Sequence, residues 1–296
     1  MDGILNVLKP LEMTSFDVVA HLRGLLGTKK IGHAGTLDPL AVGVLPVCIG
    51  RATRAIEFLM DKDKYYRAEL TIGIITDTQD SSGKVLASKT PECTDQEIKD
   101  AICSFEGKYL QVPPMYSALK VDGKRLYELA RNGIEIERQH REVEVYSIKV
   151  LDIDRIDGIK VLFDVHCSKG TYIRTLCADI GEVLSCGGHM SFLLRKRAGP
   201  FDISTAYALE ELAQRKKDGT LQSALLEVDV VFKSMPCYTL DEKSDKKFRN
   251  GMQISIPDDS EDSSLIRVYS TSGEFIALGT VRKGEGESIL KVKKFF

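Results

Sequence analysis

Three short segments of this 296-residue chain carry residue types able to do chemistry. The first is Gly32-His33-Ala34-Gly35-Thr36-Leu37-Asp38-Pro39-Leu40. Its two glycines let the backbone take positive φ or approach a ligand closely. Its single acid, Asp38, has its ψ restricted by the following proline. A lone carboxylate held this way can act as a nucleophile or a general base. An Asx-type turn leading into a strand gives the same pattern. No second carboxylate lies nearby in sequence, and no Gly-Lys-Ser/Thr follows to make a phosphate loop. The second segment runs from Cys167 through Lys169-Gly170-Thr171-Tyr172 to Arg174 and Leu176. It places Arg174 in the first turn of a helix, where a cation gains nothing from the dipole. A carboxylate would be its natural partner; an exposed arginine is the alternative. The third is Lys64-Tyr65-Tyr66-Arg67, opening a strand. Adjacent tyrosines point to opposite faces, so only one of them can reach a shared cleft, and either could be a core aromatic. His33 alone reads as structural as readily as catalytic.

The elements that must hold these residues follow from periodicity and punctuation. Residues 4–9 read as a buried strand stopped by Pro10. Thr14 or Ser15 caps a helix with Phe16, Val19, Leu22 and Leu26 at helical spacing, and Gly27 ends it. The first half of the glycine-rich stretch is a loop, and Val42 to Ile49 a buried strand. A helix is expected from about Thr53 to Met60. A strand follows over 65–75, and Asp80-Ser81-Ser82-Gly83 makes a turn. Thr94 caps a helix to about Phe105, and another spans about Arg125 to Arg131. Two strands meet at a hairpin near Asp157-Gly158. Tyr172 to Leu184 is helical, and a strand and a helix occupy about 190–217. After residue 230 short β-like runs alternate with turns and acidic stretches such as Pro257 to Asp262. The fold expected is α+β, with a mixed, mainly antiparallel sheet, and the division is 1–230 and 231–296, the second part small and β-rich.

Bulk properties set limits. The apolar and charged fractions, 43% and 28%, are those of ordinary globular proteins. No apolar run nears the roughly 20 residues of a membrane span. MDGILNVLKP lacks a secretion signal, so a cytoplasmic protein is expected. The seven cysteines are scattered, and no CxxC or HExxH spacing occurs. Reduced thiols and no metal are therefore expected. A net charge of −2 does not itself favour nucleic acid. A local basic surface could still come from Lys29-Lys30, Arg51 with Arg54, Lys120 to Arg131, or Arg195-Lys196-Arg197; solvated faces paired with neighbouring acids are the alternative.

Taken in order, the segments resemble one family closely, the bacterial tRNA pseudouridine synthase B family. The likeness rests on NVLKP with MTSFDVV, GHAGTLDPLAVGVLPVCIGRATR, KYYRAELTIG with TDTQDSSG, and VPPMYSALKVDGKRLYELARNGIE. It continues in CSKGTYIRTLCADIG, GGH before a basic strand, and FRNGMQ with GEFIALG. The resemblance implies isomerisation of the T-loop uridine (position 55) of tRNA to pseudouridine, without a cofactor. It implies Asp38 as the catalytic aspartate, Arg174 as its partner, and Tyr66 stacking on the target base and managing the C5 proton. It further implies that His33 engages the RNA as the base leaves its stack, that Tyr172 and Leu193 line the nucleotide pocket, and that Lys9 with Pro10 borders it. The 231–296 part would be an RNA-binding fold of the PUA type. Leu194 stands where the family usually has an arginine, leaving Arg195 as the basic contact, and the likeness weakens across 215–265. The expected partner is the tRNA T-arm stem–loop, bound by a monomer with no obligatory protein partner and no membrane. A guide-RNA-dependent relative shares the GHAGTLDP-type loop, but the TDTQDSSG to VPPMYSALK insert and the lack of long basic tails favour a stand-alone enzyme. A tRNA-folding chaperone role can coexist with catalysis, since flipping a T-loop base already disrupts the elbow.

Overall fold

A computed structural model describes residues 1–117, 119–121, 123–257, 264–283 and 287–296, with only the backbone of Lys120. Most of the acidic stretch Pro257 to Asp262 lies outside the described residues, as do Ala118 and Asp122. The chain runs β1 (Gly3–Lys9), α1 (Ser15–Leu26), β2 (Ile31–His33), β3 (Ala41–Ile49), a 3-10 turn (Gly50–Ala55) and α2 (Ile56–Met60). Next come β4 (Lys64–Ile72), β5 (Ile74–Thr76), β6 (Val85–Ser88), α3 (Asp95–Cys103), β7 (Gly107–Gln111), β8 (Lys120–Val121), β9 (Lys124–Arg125) and α4 (Leu126–Arg131). Then follow β10 (Arg141–Asp154), β11 (Ile159–Cys167), α5 (Ile173–Val183), β12 (Gly188–Ala198), β13 (Phe201–Asp202) and α6 (Leu209–Lys217). The remainder is β14 (Cys237–Thr239), α7 (Glu242–Arg249), β15 (Ile254–Ile256), β16 (Leu265–Tyr269), β17 (Phe275–Lys283) and β18 (Ser288–Phe295).

Local chemistry explains the helix ends. Thr14 and Asp17 form a reciprocal capping box at the start of α1, and Gly27 closes it at φ 66°. Thr94 and Glu97 repeat the box at α3. Periodicity misplaced one apolar residue of α1: Val18 is buried, and Phe16 faces solvent under the Arg23 guanidinium, 5.6 Å from its ring. The helix expected over 53–60 is instead a 3-10 turn followed by five α-helical residues. The strand expected over 65–75 breaks at Gly73, whose φ of 95° turns the chain out of the main sheet. Helix α7 was not expected at all.

Nine strands form the main sheet in the order β1-β3-β12-β4-β11-β10-β7, with β2 on β3 and β13 on β12. All its pairings are antiparallel except β3–β12. Strands β3 and β4 are neighbours in sequence but not in space, because β12 lies between them. That contact needs Gly43: at φ 114°, a Cβ there would sit 2.3 Å from the Arg195 carbonyl oxygen. Helices α3 and α5 cover one face over a core including Leu70, Val161, Phe163, Leu176 and Ile180. Helices α1 and α6 pack on β1 and β3 through Val18, Leu22, Leu209 and Leu212. A second sheet, β14-β16-β17-β18-β15, docks on the first body through Phe232, Phe275 and Phe296.

Candidate active site

The loop 34–40 between β2 and β3 is pinned along its length. Ser15 at the start of α1 donates to the Leu37 carbonyl and accepts from the Leu37 N–H, at 3.2 and 2.8 Å. The Glu12 N–H and the Lys9 ammonium both donate to Pro39 O, at 2.9 and 3.3 Å. The Ala41 N–H closes a turn onto Asp38 O at 3.0 Å. With Leu37 buried beneath it, Asp38 stands up from a fixed base, its side chain keeping 38% of its surface open. The turn is closed by the backbone carbonyl of Asp38 and not by its side chain, which meets Arg174 instead.

Arg174 meets it from the first turn of α5, with Nε 3.0 Å from Asp38 Oδ2 and its own side chain only 6% exposed. The rest of the guanidinium is also occupied. Nη1 donates to Thr78 O at 3.3 Å and to Asp80 Oδ2 at 3.4 Å, and Nη2 donates to Tyr116 O at 2.8 Å. Asp80 is a carboxylate that sequence proximity could not supply. It is buried, and its Oδ1 accepts from Thr78 Oγ1 at 2.7 Å and the Ser82 N–H at 3.0 Å. The turn expected at 80–83 is present, and it doubles as the device that aims Asp80. Gln111 fixes the entry to α5, accepting from the Tyr172 N–H at 2.8 Å and donating to Tyr172 O at 3.0 Å.

Of the adjacent tyrosines, Tyr66 faces the cleft side with Leu37, Ala41 and Leu193. Tyr65 lies on the other face, its ring centroid 5.8 Å from that of His166. Leu193 pairs with Ala41 on β3 and Ala68 on β4 and is buried. Tyr172 caps α5, half-buried. His33 ends β2, half-buried, its Nδ1 without a hydrogen-bond partner among the described residues. Lys9 is wholly buried, donating to Pro10 O at 2.7 Å and also to Met13 O.

Burial raises the Asp38 pKa above its ordinary value; Arg174 opposes this, Asp80 adds to it, and Lys9 opposes it. Desolvation is the larger effect, outweighing the guanidinium 3.0 Å away. Burial lowers Lys9 to about 8, against the pull of Asp38. His33 is lowered by burial and by Arg195. Tyr66 and Tyr172 are raised by burial.

The basic run Arg195-Lys196-Arg197 does not present three free cations. Arg195 is 1% exposed, Lys196 pairs with Asp164 at 3.0 Å, and Arg197 pairs with Asp63 at 3.0 Å. Arg195 points inward because its Cα is opposite Tyr66 in the β4–β12 register. Arg51 is likewise paired, to Asp2, while Lys29 and Lys30 are exposed.

Residues 23–173 match the family model "TruB family pseudouridylate synthase (N terminal domain)", and 174–233 match "tRNA pseudouridylate synthase B C-terminal domain". A tRNA pseudouridine synthase B of Alkaliphilus oremlandii is 51% identical over 254 residues, 86% of this chain and 83% of that protein. One of Clostridium acetobutylicum is 45% identical over 295 residues, 99% of each chain. Among solved structures, a chain of a Cbf5-Nop10-Gar1 complex superposes with a TM-score of 0.76 at 28% identity, over 99% of this chain and 84% of that one. A chain of an H/ACA RNP bound to a substrate RNA containing 2′-deoxyuridine gives 0.75 at 27%, with the same coverage. The chain belongs to the TruB family of pseudouridylate synthases, and its activity is that of a tRNA pseudouridine synthase, an isomerase.

Proposed function

We propose that the enzyme converts the T-loop uridine at position 55 of tRNA to pseudouridine, with Asp38 as its catalytic carboxylate. The observation that carries this reading is the Asp38–Arg174 pair, 3.0 Å apart, with the arginine buried and the carboxylate partly open to solvent. The reaction breaks the N1–C1′ bond, turns the freed uracil, joins C5 to C1′ and releases the C5 proton. Asp38 serves as nucleophile or base at the ribose. Arg174 aims it, and Tyr66 stacks on the base and takes part in the C5 proton's departure. The uridine must first leave its stack, at about a few kcal/mol, which stacking on Tyr66 helps to offset. His33, whose buried Nδ1 has no hydrogen-bond partner among the described residues, engages the RNA at that step. Tyr172 and Leu193 line the pocket, and Lys9 holds its border. No group donor is needed, because the product is an isomer of the substrate.

Residues 1–230 would form the catalytic part and 231–296 a PUA-like RNA-binding part. Exposed lysines on α7 and β18 (Lys246, Lys247, Lys291 and Lys293) support a polyanion contact there. The protein would act as a cytoplasmic monomer on the T-arm, and its opening of the tRNA elbow could also assist tRNA folding. Tritium release from C5-labelled uridine in a T-arm stem–loop tests the reading, with Asp38→Asn alongside. Wild-type release, none from the variant, and stem–loop binding by both is the expected result. Release by Asp38→Asn would remove Asp38 from its role. Binding without release by the wild type would favour a pure binding role or a guide-dependent relative.

A further inference from the structure

The first turn of α5 carries Arg174, yet the N-cap residue Tyr172 makes no side-chain capping bond. The helix start is held from outside, by the carboxamide of Gln111 at the end of β7. That residue is 2% exposed. Its Oε1 accepts from the Tyr172 N–H at 2.8 Å. Its Nε2 donates to Tyr172 O at 3.0 Å and to the Tyr109 hydroxyl oxygen at 2.6 Å. One amide thus meets the N–H and the carbonyl of one residue, as a facing residue does in an antiparallel ladder. Tyr172 O also takes the first helical bond, from the Leu176 N–H at 3.0 Å. Tyr109 is itself fixed, edge-on to Phe105 with ring centroids 5.3 Å apart.

The same stretch of chain reaches the arginine itself. Five residues after Gln111, Tyr116 O accepts from Arg174 Nη2 at 2.8 Å. Residues 111–116 therefore lie across the start of α5, clamped to Tyr172 at one end and to the guanidinium at the other. β7 is an edge strand of the main sheet, paired with β10, and Gln111 ties its end to the helix. The carboxamide so fixes two things together: where α5 begins, and where the carbonyl that takes Nη2 stands. Both bear on the angle at which Nε meets Asp38, 3.0 Å away. Without the carboxamide the Tyr172 N–H would lose its partner, at the full cost of an unmade bond.

We propose that Gln111 is a positioning residue for the reaction proposed above, acting through Arg174. It holds the helix start and the Tyr116 carbonyl in fixed relation, so that the guanidinium presents Nε to Asp38 in one orientation. Gln111 itself bonds only to Tyr172 and Tyr109, and its amide exchanges no proton in the reaction. Its catalytic meaning rests on the pseudouridine synthase reading; its effect on the arginine does not.

Gln111→Met keeps nearly the same side-chain length and removes both bonds to Tyr172, whereas Gln111→Glu keeps the acceptor and loses the donor. Two readouts taken well below the melting temperature separate positioning from mere support of the fold. The first is hydrogen exchange of the Arg174 Nε–H, followed by heteronuclear NMR with Arg174→Lys identifying the signal. It should quicken by about tenfold or more in Gln111→Met, as a locally opened bond does. The second is a double-mutant cycle on kcat in the tritium-release assay. Gln111→Met should lower kcat by about tenfold with KM little changed. In an Arg174→Lys background the same change should cost almost nothing more, because the two act as one unit. Gln111→Glu should recover towards the wild type, compared at equal pH, as pH falls and the buried carboxyl regains a proton to donate. Unchanged exchange in the folded variant, or a fully additive loss in the double variant, would overturn the proposal. If Gln111→Met does not fold, a Gln111→Glu deficit equal at every pH overturns it. If the wild type binds the stem–loop but releases no tritium, the functional reading fails; the exchange measurement still decides whether Gln111 positions Arg174.

Discussion

Arg174 spends each of its nitrogens on a different part of the chain, and this sets what a substitution must do. A lysine offers one point charge and cannot reach Asp38, Asp80 and Tyr116 O together. Arg174→Lys should therefore lower kcat by about 10²-fold or more in steady-state assays, with stem–loop affinity nearly kept. Asp80 acts on the same centre with the opposite sign. As a like charge it raises the Asp38 pKa, so Asp80→Asn should move the acidic limb of the kcat/KM profile to lower pH while reducing its plateau. An unmoved limb would mean that Asp80 only anchors Arg174. The pairing of Asp38 with Arg174 was legible in the sequence, because each sits in a distinctive local run and the resemblance joined them. Asp80 and Arg195 stayed hidden for a common reason. Asp80 satisfies a local turn and Arg195 sits in a basic run, so each has a complete local explanation that long-range register overrides.

At the scale of elements, what could be read depended on how local the signal is. The helix starts at Thr14 and Thr94 were legible because a capping box closes within four residues. The break of the 65–75 strand at Gly73 and the insertion of β12 between β3 and β4 were not, since both answer to partners far along the chain. That insertion makes Gly43 sensitive. Gly43→Ala would force its methyl against the Arg195 backbone and should lower the melting temperature by several degrees, about 2 kcal/mol or more. Helix α5 carries its own pH dependence. Burial, and secondarily Glu182, raises Asp179 to about 6. A carboxyl raised on folding binds its proton more tightly in the native state, so stability falls as pH rises from about 4 to about 6. Asp179→Asn should remove that slope and stabilise the protein at pH 7 by about 1 kcal/mol, allowing for partial exposure. Melting temperatures of both proteins at pH 4.5 and 7 check this.

At the scale of the whole molecule, the two large sheets are joined by aromatic contacts. Phe232 reaches Phe58 at 5.1 Å, Phe296 at 5.4 Å and Phe275 at 5.9 Å between ring centroids. Leu278 of the second sheet lies in the same core cluster, so the docking seam has an apolar core. Phe232→Ala should cost about 3–5 kcal/mol and split calorimetric melting into two transitions; a single, merely lowered transition would show the parts to be one cooperative unit. The small β-rich second part was legible from the change of pattern after residue 230. Its seating was not, because the aromatic residues that build it come from both sides of that change.

The place of β12 in the main sheet has a consequence for how the protein comes into being. Asp38, Tyr66 and Asp80 all precede residue 100, yet the strand that separates β3 from β4 is Gly188–Ala198. A chain emerging from the ribosome cannot zip these early strands together as neighbours; it must leave a gap until a strand more than a hundred residues later slots in. Closing so long a loop is slow relative to local hairpins. Arg174, bound to Asp38, and Arg195, bound to the Gly35 carbonyl, arrive with or just before that closing strand. Catalytic competence is thus a late property of the chain, acquired with the last long-range pairing of the main sheet rather than assembled piece by piece.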